Sequence, residues 1–379
     1  MFQYIKTQTY FAQISGGMEP LGADELVRLG AKNVTPGYRG IRFQGDKHVL
    51  YRINYNARLI SRVFAPLKRF PCPSVKELYR FAKTIDWPLI FSPWQTFAVF
   101  SNVSRSKITH SKYAALCLKD AIADRFRDQL NKRPNVDRFS PDIRINLYID
   151  RDMGVISLDT SGGSLHQRGY RVKSVEAPMQ ETLAAAIVQI SGWCGETALY
   201  DPMCGSGTLL CEAMMQYCRI PAGYFRKRFG FEFLPDFDRV LWKREKTRAD
   251  DRIRKLPDRL IYGSDLSKTA VKAAKTNCRT LPSGQKVNLV TTDFKRIATL
   301  ENRSIICNPP YGIRLKAEKD LGLFYREMGD FLKQRCKGST AYIYFGNIPM
   351  IKKVGLKPSF KMPLNNGGLD GRLVKYEIY

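Results

Sequence analysis

Apolar and polar positions follow one texture over the first half of the chain and another over the second. "TYFAQIS" alternates as a strand, "GGMEPLGADELVRLGA" has helical spacing around residues 20–29, and "GIRFQG" returns as a strand. That order predicts a small α+β unit over residues 1–66. "KHVLYRINYNARLISRVFAPLKRF" places Val49, Ile53, Leu59, Ile60 and Val63 on one stripe, which predicts an amphipathic helix. The stretch from Cys72 reads as helix, loop and a strand around residues 96–103. In "SKYAALCLKDAIADRFRDQLNK" the residues Ala115, Leu118, Ile122, Phe126 and Leu130 fall three or four apart, as on a helix. "IRINLYID" and "GVISLDTSG" alternate as strands, and the turn residues 151–154 between them predict a hairpin.

"GGSLHQRGYRVKSVEAP", Gly-rich and basic, reads as a crossing linker that ends at Pro178. Beyond it strand-like and helical runs take turns: "ETLAAAIVQISGW", "TALYDP", "GTLLCEAMMQYC", "RLIYGSD", "SKTAVKAAKTNC", "VNLVTTD", "SIICNPP", "LGLFYREMGDFLKQRC", "TAYIYFGN" and "RLVKYEIY". Such alternation predicts a mostly parallel α/β sheet. Ligands of such sheets bind at the carboxyl ends of the strands, so the chemistry is expected where strands stop.

Composition adds a partner. The 379 residues suffice for two or three domains, and 44% hydrophobic content can fill their cores. Lys and Arg outnumber Asp and Glu by 62 to 35, a net charge of +27 that repels itself unless a polyanion is bound. Nucleic acid is the expected partner. No stretch approaches a membrane span, and "MFQYIKTQTYFAQISGG" lacks the charged start and apolar run of a signal peptide. Nine scattered cysteines without a C-x-x-C pair suit a cytoplasmic protein with reduced thiols. Three isolated histidines, His48, His110 and His166, argue against a structural zinc site, and no metal is expected.

Four strand ends carry candidate chemistry. "DPMCGSGT", residues 201–208, follows a strand and opens a helix, with Gly205 and Gly207 permitting a sharp turn and close backbone approach. A nucleoside-triphosphate loop needs a Lys that is missing here, and a dinucleotide fingerprint needs a third Gly where Leu210 stands. S-adenosylmethionine, which has no phosphate, remains. Asp265, ending "YGSD", can accept from both ribose hydroxyls; Asp293, ending "TTD", can accept from an adenine amine, with Phe294 placed to cover the ring. The separation of 58 positions from Gly207 to Asp265 takes in "RIPAGYFRKRFGFEFLPDFDRVLWKREKTRADDRIRKLPDR", a basic and aromatic insertion that reads equally as a solvated helix face or as a wall of an RNA site.

The fourth strand end is "NPPY". Pro309 and Pro310 fix φ and remove two donors, leaving a rigid edge of acceptors: the Asn308 side-chain oxygen and the Pro309 carbonyl. Two fixed acceptors suit the two N–H donors of a nucleobase amine, whose lone pair must be turned out of conjugation before it can attack a methyl group. Tyr311 can stack on the target base.

"DPMCGSGT" together with "NPPYG" resembles the amino-methyltransferase signature of Rossmann-like S-adenosylmethionine enzymes. "LHQRGYRVKSVEAPMQETLAAAI", residues 165–187, resembles the linker and first helix of the bacterial THUMP-domain 23S rRNA (guanine-N2) methyltransferases, the RlmL-like family. "SKYAALCLKDAIADRFR" is similar to that family's THUMP helix, and "LNNGGLDGRLVKYEIY" to its closing strands. The resemblance spans the chain and implies a ferredoxin-like domain over residues 1–66, a THUMP RNA-binding domain over 67–165 and a methyltransferase domain over 166–379. It also implies a cofactor site of Thr182, Asp201, Pro202, Cys204, Gly205, Gly207, Thr208, Asp265, Leu266, Asp293, Phe294 and Asn308, and a target-base site of Asn308, Pro309, Pro310 and Tyr311. Arg105, Lys107, Lys112, Lys119, Arg125 and Arg127 of the THUMP region are then expected to contact phosphates. Some long relatives carry a second methyltransferase domain; this chain is expected to lack it, ending at Tyr379, and to perform the guanine-N2 reaction alone. A tRNA guanine, a DNA adenine and a non-catalytic role in ribosome assembly are the rival readings.

Overall fold

The computed structural model describes residues 1–174, 178–311, 318–366 and 369–379. Gly312 of "NPPYG", part of "KSVEAP" and two glycines of "LNNGGLDG" lie outside the described residues. The chain forms two compact units. One holds Met1–Ile14, Gly22–Leu165 and Arg226–Thr247; the other holds Ser15–Leu21, His166–Phe225 and Arg248–Tyr379.

The first run of elements is α1 (Gln3–Thr7), β1 (Thr9–Gln13), α2 (Glu19–Arg28), β2 (Lys32–Gly37), β3 (Gly40–Gln44), α3 (Lys47–Asn56), β4 (Arg62–Pro71), α4 (Val75–Lys83), β5 (Phe97–Ser104), α5 (Ser111–Leu130), β6 (Ile143–Asp150) and β7 (Met153–Asp159). The seven strands form one sheet in the order β2-β3-β1-β4-β7-β6-β5. Strand β4 pairs with β1 on one side and β7 on the other, so the division expected at 66/67 falls within a strand. The single long helix expected from Lys47 is instead two elements. It stops at Asn56, and Val63, Phe64 and Ala65 are all buried in a central strand, where burial on both faces erases the period of two. The β6–β7 hairpin turns at Arg151 and Asp152, both with positive φ (49° and 56°), the geometry of a two-residue turn between twisted strands.

Residues 226–247 return to this first unit. Tyr51 and Tyr55 of α3 meet the rings of Phe231 at 4.6 Å and Trp242 at 5.3 Å. His48 and Arg52 pair with the buried Glu245 at 3.0 and 3.1 Å. Phe229, Phe231 and Trp242 of the insertion therefore pack with α3, which removes apolar area from water, while Arg239, Lys243, Arg244 and Arg248 of the same stretch are exposed.

The second run is α6 (Glu181–Ser191), β8 (Leu199–Asp201), α7 (Thr208–Tyr217), α8 (Arg239–Asp250), β9 (Ile261–Asp265), α9 (Lys268–Thr280), β10 (Asn288–Thr291), β11 (Ser304–Cys307), α10 (Glu318–Arg335), β12 (Thr340–Phe345), β13 (Phe360–Asn366) and β14 (Leu369–Glu377). Its sheet has the order β10-β9-β8-β11-β12-β14-β13. The first five are parallel, and β14 runs antiparallel between β12 and β13. After β10 the chain crosses back to place β11 beside β8, so the order reverses at the centre and opens a crevice at the carboxyl ends of β8, β9 and β11. Ile305, Ile306 and Cys307 are buried, which fixes the strand that delivers Asn308. Among the described residues no helix is long and apolar enough to cross a membrane.

Candidate active site

Asp201 ends β8, and the loop after it is pinned from several sides. Cys204 N–H donates to the Ser264 carbonyl (2.8 Å), and Gly207 N–H to that of Cys204 (2.8 Å). Pro202 and Cys204 are buried within the loop. Gly205 and Gly207 have φ of 53° and 82°. A Cβ on Gly207 would stand 3.1 Å from the Ala274 Cβ, so this position needs glycine both for its backbone and for the close approach of α7 to α9. Thr208 starts α7, and Thr182 is buried in the first turn of α6.

The Asp201 carboxyl accepts from Met203 N–H (3.1 Å). Burial, and then the nearby Asp265 charge, push it up to about 8. A carboxyl raised in this way holds its proton more tightly in the folded chain. The stability it contributes is complete below the ordinary carboxyl range and is lost as pH rises towards 8. Asp201→Asn, which cannot ionise, should therefore lose less stability than wild type between about pH 5 and about pH 8 in chemical denaturation. Equal losses in both proteins would contradict the assignment.

Asp265 ends β9, next to the glycine loop. Its Oδ2 accepts from Gly205 N–H and its Oδ1 from Ser267 N–H, both at 2.9 Å. Leu266 beside it is 73% exposed. Asp293 follows β10 and caps a short turn, its Oδ1 accepting from Lys295 N–H at 3.0 Å. Phe294 departs from its expected role of covering an adenine. It is 5% exposed, and its ring packs edge-on against Phe324 (5.6 Å) and Phe331 (5.5 Å), because it belongs to the core under α10.

Asn308 follows β11. The Tyr311 hydroxyl donates a short hydrogen bond to Asn308 Oδ1, and Tyr325 donates to the Pro310 carbonyl at 3.3 Å. Pro309 is buried. Burial holds the Tyr311 phenol well above its ordinary range, so it stays a donor. Its ring lies edge-on to Tyr344 at 5.9 Å. Gly346 makes room for it: a Cβ there would stand 2.6 Å from Tyr311 Cγ.

The linker supplies residues that motif reading missed. Arg171 donates from Nε to Glu181 (3.0 Å), from Nη1 to Ser206 Oγ (3.4 Å) and from Nη2 to the Met179 carbonyl (2.9 Å). Asn277 of α9 accepts from Val172 and Lys173 N–H (3.0 and 2.9 Å) and donates to the Lys173 and Ser206 carbonyls (2.7 and 3.0 Å). Both reach Ser206, between the two loop glycines. Deeper still, Arg168 and Tyr170 meet the buried Glu212 at 3.5 and 3.0 Å. The signals in the sequence were basic residues in a Gly-rich stretch ahead of a helix and the resemblance of residues 165–187 to the linker of the RlmL-like family; neither singled out Asn277.

Of the six basic residues expected to meet phosphate, four are already in ion pairs. Arg105 pairs with Asp150 (2.8 Å), Lys119 with Asp120 (2.6 Å), Arg127 with Asp124 (2.9 Å) and Arg125 with Asp86 (3.9 Å). Lys107 and Lys112 are exposed. The cluster is thus largely compensated by its own carboxylates, though exposed pairs of this kind are weak enough to exchange for phosphate. Among the described residues no group of three or more His, Cys, Asp or Glu is placed to hold a metal ion.

Three family models match successive stretches: an RlmL ferredoxin-like domain over residues 9–64, a THUMP domain over 72–159 and an RMKL-like methyltransferase domain over 168–375. A Synechocystis protein described as a candidate RNA methyltransferase is 42% identical, covering 98% of this chain and 97% of its own. The ribosomal RNA large subunit methyltransferase K/L of Aliivibrio salmonicida is 38% identical over 97% of this chain and 53% of its own, so the chain spans about half the length of that relative. Among solved structures, SMU.472, a candidate methyltransferase in complex with S-adenosylhomocysteine, has a TM-score of 0.87 at 28% identity, covering 98% of both chains. A Listeria monocytogenes protein described as a predicted N6-adenine-specific DNA methylase has a TM-score of 0.86 at 26% identity, covering 100% of this chain and 98% of its own.

Proposed function

The chain belongs to the RMKL-like methyltransferase family, and from that premise we propose that it methylates the exocyclic N2 amine of a guanine in 23S ribosomal RNA. It is an RNA methyltransferase, and its methyl donor is S-adenosylmethionine. The donor set suits that cofactor: Asp265 and Asp293 at two strand ends can accept from hydroxyls and an amine, the buried Asp201 holds the turn of the glycine loop through Met203 N–H, and the loop lacks the lysine that a phosphate would call for. When bound, the cofactor supplies a methyl group activated by a positively charged sulfur.

The observation that carries the reading is the rigid acceptor edge at the end of β11, one strand from the glycine loop on β8. Asn308 Oδ1 has two lone pairs, and the Tyr311 hydroxyl uses one. The other, with the Pro309 carbonyl, holds the two amine hydrogens and turns the nitrogen lone pair towards the methyl group. Tyr311 has two tasks, orienting Asn308 through its hydroxyl and meeting the base with its ring. Asp265 holds the ribose, Asp293 the adenine amine and Leu266 the adenine face. Arg171 and Asn277 act through Ser206 as positioning residues for the loop.

Gly346→Ala tests the placement of Tyr311. The added Cβ collides with the root of the ring, which cannot swing away as a chain tip would. Turnover should fall about 10- to 100-fold with S-adenosylhomocysteine affinity unchanged; equal loss of both would point to general damage. The function itself is tested by mass-spectrometric nucleoside mapping of 23S rRNA and tRNA from cells with and without the protein. One N2-methylguanosine missing from 23S rRNA is expected; loss from tRNA alone would move the substrate, and loss of a methyladenosine would move the base.

A further inference from the structure

The sheet of the first unit leaves part of one face open, and its residues form a grid. Register sets Arg69, Val155, Tyr148 and Asn102 in one row across β4, β7, β6 and β5. The next row holds Ser157, Asn146 and Phe100. Directly opposed residues project to the same side. Along β6 burial alternates: Ile143, Ile145, Leu147 and Ile149 are buried, while Arg144, Asn146 and Tyr148 point the other way.

On this open side stand two aromatic rings, Phe100 at 38% and Tyr148 at 44% exposure, on diagonal positions of adjacent strands. Arg144 holds its guanidinium over the Phe100 ring, 5.2 Å from the centroid. Its Nη2 donates to the Phe139 carbonyl, but its buried Nε has no hydrogen-bond partner among the described residues. Two carboxylates of this face are already in ion pairs, Asp159 with Arg62 and Asp150 with Arg105. Asp159 and Asp137 act on Arg144, and with Arg69 exposed in the first row the arginines here (Arg62, Arg69, Arg105 and Arg144) still outnumber Asp137, Asp150 and Asp159.

We propose that this open face, centred on Phe100 and Tyr148, binds an unpaired stretch of RNA by base stacking, with phosphates on Arg69 and Arg144. The inference rests on the RNA-substrate reading above. Only unpaired bases offer their ring faces; in a duplex those faces are already stacked, and the sheet would meet only backbone. Asn102 and Asn146 beside the rings can donate to and accept from base edges.

The test is fluorescence anisotropy with a short fluorescein-labelled single-stranded RNA and with the duplex it forms with its complement. Phe100→Ala/Tyr148→Ala should weaken single-strand binding about tenfold or more while leaving duplex binding within about twofold. Tyr148→Phe, which keeps the ring, should bind as wild type. Arg144→Ala should reduce the slope of log affinity against log salt by about one. Unchanged single-strand affinity in the double variant would overturn the proposal and leave the face to a protein partner. Equal losses for strand and duplex would overturn it as well, since stacking would not be the cause. These readouts need no methyl transfer, so a failed guanine assignment and a failed RNA face are distinguishable.

Discussion

Asn308→Ala should reduce methyl transfer about a hundredfold or more while changing S-adenosylhomocysteine affinity by no more than about twofold. The side chain lies at the end of β11, where its oxygen is already oriented by the Tyr311 hydroxyl. It meets the amine and not the cofactor's ribose or adenine, so its loss falls on turnover. Asn308→Asp keeps an acceptor oxygen in the same place and should retain more activity than the alanine variant. Single-turnover rates beside calorimetric affinities separate the two effects. A fully active Asn308→Ala would remove the acceptor edge from the mechanism, and equal activity of the Asp and Ala variants would show that the oxygen is not what matters.

Asp265→Ala should have the opposite signature, weakening cofactor affinity about 10- to 100-fold. Its two oxygens each hold a backbone N–H, those of Gly205 and Ser267 at 2.9 Å, and remaining lone pairs can take the ribose hydroxyls. Removing the carboxylate therefore loosens the loop and deletes the acceptor together. Asp265→Asn retains one acceptor oxygen and should fall between. Turnover at saturating cofactor should recover much of the wild-type rate. Wild-type affinity in the alanine variant, measured by calorimetry, would refute the ribose assignment.

Much of the catalytic unit was legible because its signals are local. Each βα step carries its own strand, its own turn and its own terminal Asp, so Asp201, Asp265 and Asp293 could be placed at strand ends before any contact was known. What stayed hidden depends on contacts distant in sequence. Arg171 and Asn277 converge on Ser206 from more than 30 residues away on either side. Phe294 has the right position for an adenine cover, but its direction is set by Phe324 and Phe331 on a later helix. The strand β2 was missed because it is an edge strand with few buried residues and contains a proline, and of β13, an edge strand with a proline of its own, only the last residues fell within the stretch read as closing strands. The ring-rich insertion carried no local sign that Tyr51 and Tyr55, nearly two hundred residues earlier, would receive it.

The most direct measurement incubates the purified protein with methyl-labelled S-adenosylmethionine and ribosomal RNA from cells lacking it, then resolves the digested nucleosides by mass spectrometry. Label in N2-methylguanosine from 23S rRNA, absent with Asn308→Ala, is the predicted result. Label in N6-methyladenosine, or N2-methylguanosine formed equally well by the Asn308→Ala protein, would contradict it.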